Sequence, residues 1–336
     1  MDNRDMLRYV PVGSTIENKP LVVLNATART TKAGKKYLQL ELFDAFDVIN
    51  GNYWDWGGVN IPQKNSVLNV TAQITEWQGN RQLNIKALTT NKELTSADFA
   101  PASGLDVAQV FKNAYELMTE VNDEFLRGLA LSVLEELQHR WMTVPGAKGV
   151  HHAYAAGTLI HCTSVARIAK AIALETQCAN VDLCTVGGML HDIGKLYTYT
   201  VDGASIDMTD EGMLYDHTFI GAEFIGNYIE SRNHSSPDEE QKTAMLRHII
   251  LSHHGSLEHG AVVIPLSIEA HIVHHADAID AAAEQIRQAS EKAPLDKWTD
   301  RIWTLGNRPH LSVNFVRDVM KPPYEAEDSD EETYDN

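Results

Sequence analysis

Histidine and aspartate recur in one half of this 336-residue chain in an order that suits metal-assisted hydrolysis: His161, the adjacent pair His191-Asp192, His217, His253-His254 and Asp277. The steps from His161 to His191, His217, His253 and Asp277 are 30, 26, 36 and 24 residues. All fifteen histidines lie at or after His139, a partition that a random scatter of surface imidazoles would not give. The segments that carry them, such as GTLIHCTSVARIA, GGMLHDIGK and YDHTFIGAEFI, have helical character, so several helices would each contribute a polar group to one place. Buried polar groups need partners, and divalent cations meet that need. Imidazole suits first-row transition ions, and a carboxylate such as Asp192 can bridge two of them. Two ions about 3.5–4 Å apart can activate water and neutralise both the attacked and the departing oxygens of a phosphodiester. Lys195, about one turn beyond His191, would then neutralise a non-bridging phosphate oxygen.

The other imidazoles and thiols carry less. A lone His-Asp dipeptide means little without its companions. His151-His152 and His274-His275 fit either a cleft lining or ordinary satisfied helix-end residues, and His234, His259 and His310 read as surface. Cys162, Cys178 and Cys184 form no C-x-x-C pair and read as reduced core thiols, with Cys162 and Cys184 packing rather than ligating.

The elements that must position this chemistry divide the chain. From about Leu21 to Leu88 the sequence is short-stranded and punctuated. Tyr37 to Phe43 alternates strictly between apolar and polar, and Ala33-Gly34 and Gln78-Gly79-Asn80-Arg81 sit where hairpin turns belong. About five strands in under 100 residues imply a small closed barrel. After Thr95-Ser96 and the Pro101-Ala102-Ser103-Gly104 punctuation, apolar residues recur at three- and four-residue spacing to about Arg287, the mark of an all-α unit. The expected fold is therefore multidomain: an N-terminal five-stranded closed β-barrel over 1–95, a helical bundle over 96–315, and a disordered acidic tail over 316–336, whose last 15 residues hold seven acids. Charge follows the same division, with 11 Lys/Arg against 9 Asp/Glu in residues 1–95 and 17 against 37 in the remainder, for a net charge of -18. An acidic body repels polyanions at long range, so a nucleic acid would have to be held by a local basic face or by bound cations. On the barrel, the groups suited to a sugar-phosphate backbone and stacked bases are Lys35, Lys36, Tyr37, Trp54, Trp77, Arg81 and Lys86, although Tyr37 and Trp77 fit a core position equally well. The start MDNRDMLRYVPVG has no apolar leader stretch and no 18-residue apolar run occurs, so neither export nor membrane insertion is expected, and the cytoplasm is the expected compartment.

His-Asp at the end of an apolar helix followed by Ile-Gly-Lys resembles the signature of the HD superfamily of metal-dependent phosphohydrolases. The order H…HD…H…H…D resembles its two-metal subset. Over roughly residues 15–290 the chain is similar to the YhaM-type 3′-to-5′ exoribonucleases, which join an OB-fold to an HD domain. GVHHAYAAGTLIHCTSVARIA, HDIGK, DHTFIGAEFI, ILSHHG and HADAIDA follow the order of that family, and KKYLQLELFDAFDVINGNYWDW and LNVTAQITEWQGNRQLNIKAL resemble the strand pairs of its OB-fold. The resemblance implies metal ligands at His161, His191, Asp192, His217, His253 and Asp277, with Asp192, Lys195 and His254 in the chemistry and His254 as a phosphate contact. It also implies two divalent ions, Mn²⁺ first, with Mg²⁺, Fe²⁺, Co²⁺ or Ni²⁺ as alternatives. Where the family tends to have Gly-Gly and Glu before the first ligand, this chain has Ala156-Gly157 and Ile160, so the wall beside His161 differs. The implied activity is 3′-to-5′ removal of nucleotides from single-stranded RNA, with DNA as a second polymer and a homo-oligomer left open. Two other readings stand beside it: hydrolysis of nucleotides or cyclic oligonucleotides, and a non-catalytic nucleic-acid-binding protein.

Overall fold

The structure, a computed structural model, describes residues 7, 10–45, 48–58, 60–77, 80–99, 105–147, 154–202, 205–232, 236–293 and 296–312. Two compact units emerge: 1–102 with 153–155 and 199–210, and 103–152 with 156–198 and 211–336. The tail expected over 316–336, His151-His152, His234 and the Gln78-Gly79 pair lie outside the described residues.

The first unit is a closed five-stranded barrel. Strands β1 (Thr15–Thr30), β2 (Lys36–Phe43), β3 (Val48–Tyr53), β4 (Val67–Trp77) and β5 (Asn80–Thr90) run in the order β1-β2-β3-β5-β4, and β4 pairs back onto β1. All neighbours are antiparallel except β3 and β5, which gives the OB-type topology. Period-two alternation places the core: Leu38, Leu40 and Leu42 from β2 meet Val70, Ala72 and Ile74 from β4 and Leu83 and Ile85 from β5 inside the barrel. The intervening positions, Gln39, Asn52, Gln82, Asn84 and Gln73, line the outer wall.

In the second unit the described elements are α1 (Val107–Thr119), α2 (Glu124–Glu136), α3 (Gln138–Trp141), α4 (Gly157–Thr176), α5 (Val181–Leu190), α6 (Lys195–Thr198), α7 (Asp210–Glu230), α8 (Pro237–Ser252) and α9 (Ile268–Lys292). Side-chain caps start most of the long ones: Asp106 for α1, Asp123 for α2, Asn180 for α5, Ser267 for α9, and a Ser236–Glu239 capping box for α8. The expectation of purely helical sequence beyond residue 95 is corrected by two short antiparallel pairs. One joins β6 (Tyr199–Asp202) to β7 (Ser205–Met208), and the other joins β8 (Lys297–Trp298) to β9 (Leu311–Ser312). YTVDGASIDM contains an Asp-Gly between alternating residues, a hairpin signal that helical periodicity on either side obscures.

Helix α5 is apolar around its whole circumference, with Leu183 to Leu190 all buried, and it is the axis of the unit. Two glycines let its neighbours approach. A Cβ on Gly188 would stand 2.8 Å from Ala166 Cα in α4, so α4 and α5 pack backbone to backbone at that point. A Cβ on Gly194, in the turn after α5, would stand 1.9 Å from the carbonyl oxygen of His217. Gly194→Ala should therefore force α7 away from the turn, costing about 2 kcal/mol or more and lowering the melting temperature by about 4–8 °C. Gly128→Ala, in α2 with nothing near its would-be Cβ, should instead be neutral or stabilising. Thermal melts of the two variants check this; equal melting temperatures would contradict it.

Candidate metal centre

Asp192 sits in the turn that ends α5, and its side chain is 1% exposed. Its two oxygens face different partners. Oδ2 lies 3.5 Å from His161 Nε2 and 3.4 Å from His191 Nε2; Oδ1 lies 3.2 Å from His217 Nε2 and 3.5 Å from His253 Nε2. Asp277 Oδ1 joins the first group, 3.1 Å from His161 Nε2 and 3.9 Å from His191 Nε2. His254 joins the second, since His217, His253 and His254 each offer a nitrogen within 4.8 Å of the others. The residues expected from sequence as ligands therefore converge, and they gather about Asp192 in two adjoining half-sites, linked by His191, His253 and Asp277, whose donor atoms also lie within 4.8 Å of one another.

The folding of each local segment aims these nitrogens. His191 and His253 are the C-cap residues of α5 and α8, where backbone carbonyls lose their helical partners. His191 Nδ1 donates to Gly188 O and His253 Nδ1 donates to Ile250 O, each at 2.8 Å. A carbonyl can only accept, so each ring carries its proton on Nδ1 and presents the Nε2 lone pair to the centre. Carboxylates hold the Nδ1 side of the other two rings: His161 Nδ1 meets Asp280 Oδ2 at 2.7 Å, and His217 Nδ1 meets Asp216 Oδ1 at 2.5 Å. His274 Nδ1 in turn donates to His253 O at 2.6 Å.

Charge is balanced locally. Burial opposes ionisation of Asp192, yet Lys195, with Nζ 2.6 Å away, and the His191 and His217 rings hold its carboxyl well below the usual range. Burial likewise disfavours charge on His161, but its hydrogen bonds to Asp277 and Asp280 prevail and push it up to about 10. His253 has no such carboxylate at hydrogen-bond distance, and burial keeps its ring neutral. Burial, with the His217 ring beside it, lowers His254 too.

The donor set fits divalent cations. Asp192 Oδ1 and His217 Nε2 face each other at 3.2 Å without a hydrogen bond of usable geometry, and His254 Nδ1 is also buried without one. Unsatisfied lone pairs in a buried cluster of imidazole and carboxylate are what a borderline transition ion would satisfy.

Sequence reasoning missed Asp216 and Asp280. The second was legible, because it stands three residues after Asp277 in α9 and so shares its face. Asp216 directly precedes His217, and only the unusual backbone at that point reveals its contact. Of the remaining residues, His275 and His259 are exposed, His310 is half-buried rather than on the surface, and Cys178 is exposed, which corrects its assignment to the core. On the barrel, Tyr37 and Trp54 stack with ring centroids 4.4 Å apart, and Trp77, Lys36 and Lys86 are exposed. Lys35 pairs with Asp55 at 2.7 Å. Arg81 has a structural task instead of a free one: its guanidinium donates to the carbonyls of Leu7 and Val10 and ties the N-terminal segment to the barrel.

Residues 158–282 match the HD domain family, a span that covers every residue of the cluster described above. Among curated proteins, the 3′-5′ exoribonuclease YhaM of Oceanobacillus iheyensis is 28% identical over 302 residues, 88% of this chain and 93% of that protein. Those of a Geobacillus species and of Halalkalibacterium halodurans are 28% and 26% identical, over 90% and 91% of this chain and 93% and 96% of theirs. The chain thus joins an OB-type barrel to an HD domain. It resembles the YhaM-type exoribonucleases along both halves. Among the described residues no helix is long and apolar enough to cross a membrane.

The supporting carboxylates give a direct check. Asp280→Asn keeps an acceptor for His161 but removes its charge, and should weaken Mn²⁺ affinity roughly 10–100-fold while the far-ultraviolet dichroism stays unchanged. Isothermal titration with Mn²⁺ reads this, and an unaltered affinity would show that Asp280 does not support the ligand.

Proposed function

We propose that this protein is a metal-dependent phosphodiesterase that removes nucleotides from the 3′ end of single-stranded RNA. The observation that carries the chemistry is the division of partners at Asp192, one oxygen toward His161 and His191 and the other toward His217 and His253. The polymer substrate rests on the exoribonuclease names of relatives that span both halves of the chain. In this reading His161, His191, Asp277 and Asp192 would hold one divalent ion, and His217, His253, His254 and Asp192 would hold the other, with Mn²⁺ the ion of first choice. His254 would serve as a ligand rather than as a phosphate contact, a role supported by the clustering of its nitrogen with those of His217 and His253. When bound, such ions supply Lewis acidity and an activated water. The chain's own groups do the rest. Asp192 fixes both half-sites, Lys195 offsets its charge from 2.6 Å, and Asp216 and Asp280 hold the rings of His217 and His161 in place.

The barrel would grip the strand. Tyr37, Trp54 and Trp77 offer base-stacking faces, and Lys35, Lys36 and Lys86 offer backbone charge, while Arg81 is already engaged. This matches the use of OB barrels for single strands, where stacking is worth about 1–3 kcal/mol per base. The division of labour proposed is a barrel over 1–95 for binding and a helical unit over 96–315 for chemistry, in the cytoplasm.

The test is a 5′-labelled single-stranded RNA and its DNA counterpart, incubated with Mn²⁺, Mg²⁺ or EDTA. A ladder shortening from the 3′ end with Mn²⁺, absent with EDTA, is expected. Asp192→Asn should lower the rate by more than the roughly 10–100-fold expected of a supporting residue. A protein that cleaves dinucleotides or cyclic dinucleotides but leaves oligomers intact would replace the polymer by a small substrate. Unchanged turnover in Asp192→Asn would overturn the site.

A further inference from the structure

Met213, Leu214, Tyr215 and Phe219, in the first half of α7, are 72, 73, 57 and 46% exposed. Large apolar side chains gathered on a surface mark a place of contact. Here they flank His217, one of the converging imidazoles. Tyr215 is two residues from it, so the two Cα atoms are within about 7 Å.

The backbone between them is not helical. Asp216 has φ 63° and ψ 154°, a conformation that L residues rarely adopt and that persists where surrounding contacts impose it. Those contacts are visible: the Asp216 carboxylate takes His217 Nδ1 at 2.5 Å and Thr218 N at 3.2 Å. The kink thus sets Tyr215 off from the helical run that carries His217, and the Asp216 contacts hold the backbone there in that conformation. The Tyr215 and Phe219 rings are 6.1 Å apart and tilted by 42°, so neither covers the other.

The chemistry of the segment narrows its occupant. Residues 210–219 contain Asp210, Glu211 and Asp216 and no Lys or Arg, which suits an uncharged π-face and not a phosphate. We propose that Tyr215 and Phe219 form a stacking platform for the nucleobase that flanks the scissile phosphodiester. The inference rests on the phosphodiesterase reading above and adds a base subsite to that centre.

The full chain carrying Tyr215→Ala, Phe219→Ala or Tyr215→Phe tests it in two ways. The first is kcat/KM with Mn²⁺ on a single-stranded RNA and on the same strand lacking the terminal or the penultimate base. Each alanine variant should lose roughly 5- to 100-fold on the intact strand and clearly less on one of the two abasic strands, whereas Tyr215→Phe should keep most of the activity and all three should keep the parent's metal content. The second is fluorescence of an RNA ending in 2-aminopurine whose terminal linkage has a methylene in place of the bridging oxygen. Binding should quench the parent's signal, and Tyr215→Ala should restore it. Equal losses on intact and abasic strands, no loss at all, loss of metal, or dissociation of an oligomer in the alanine variants would each overturn the platform. A parent that quenches 2-aminopurine but cleaves no RNA would instead sink the exonuclease reading and leave the platform standing.

Discussion

A carboxylate buried to 1% exposure at the end of an apolar helix is the constraint on which the helical unit depends. An isolated charge at that depth would cost several kcal/mol or more, so Asp192 persists only because neighbours compensate it. The compensation reaches into distant sequence. Lys195 comes from the next turn, His191 directly precedes the carboxylate, His161 comes from α4 and His217 from α7. Close helix approach at Gly188 and Gly194 brings these elements within reach, so the packing of the unit and the convergence of the donors are one requirement.

The rings are held by a second layer that differs from ring to ring. Backbone carbonyls at helix ends hold His191 and His253, and side-chain carboxylates hold His161 and His217. The helix-end arrangement serves two purposes at once, since it satisfies a carbonyl that the helix leaves unpaired and fixes the tautomer that presents Nε2. The carboxylate arrangement makes the ring a stronger donor. Each half-site contains one ring of each kind, so the two sets of donors are similar but not identical.

Much of this was legible in the sequence. Strict alternation from Tyr37 to Phe43 gave β2 with Leu38, Leu40 and Leu42 inside, and the order of His and Asp named the residues that converge on Asp192. What escaped depends on three-dimensional detail. Nothing local to Arg81 says that its guanidinium will meet the carbonyls of Leu7 and Val10 more than 70 residues away. The role of Asp216 hides in a backbone conformation that composition does not encode. The β6–β7 pair was available from its Asp-Gly dipeptide, but helical spacing before and after it outweighed that short signal. Asp280 shares a helix face with Asp277, and only the structure shows that it turns toward His161.

The proposed function requires the Asp192 carboxylate to lie between two divalent cations, and a crystal of the protein soaked in Mn²⁺ tests it most directly through anomalous scattering at the manganese edge. The account predicts two peaks about 3.5–4 Å apart, one on each side of the Asp192 carboxylate, with Asp277 beside the first and His254 beside the second. A single peak, or two peaks that leave either oxygen of Asp192 without a metal, would contradict it.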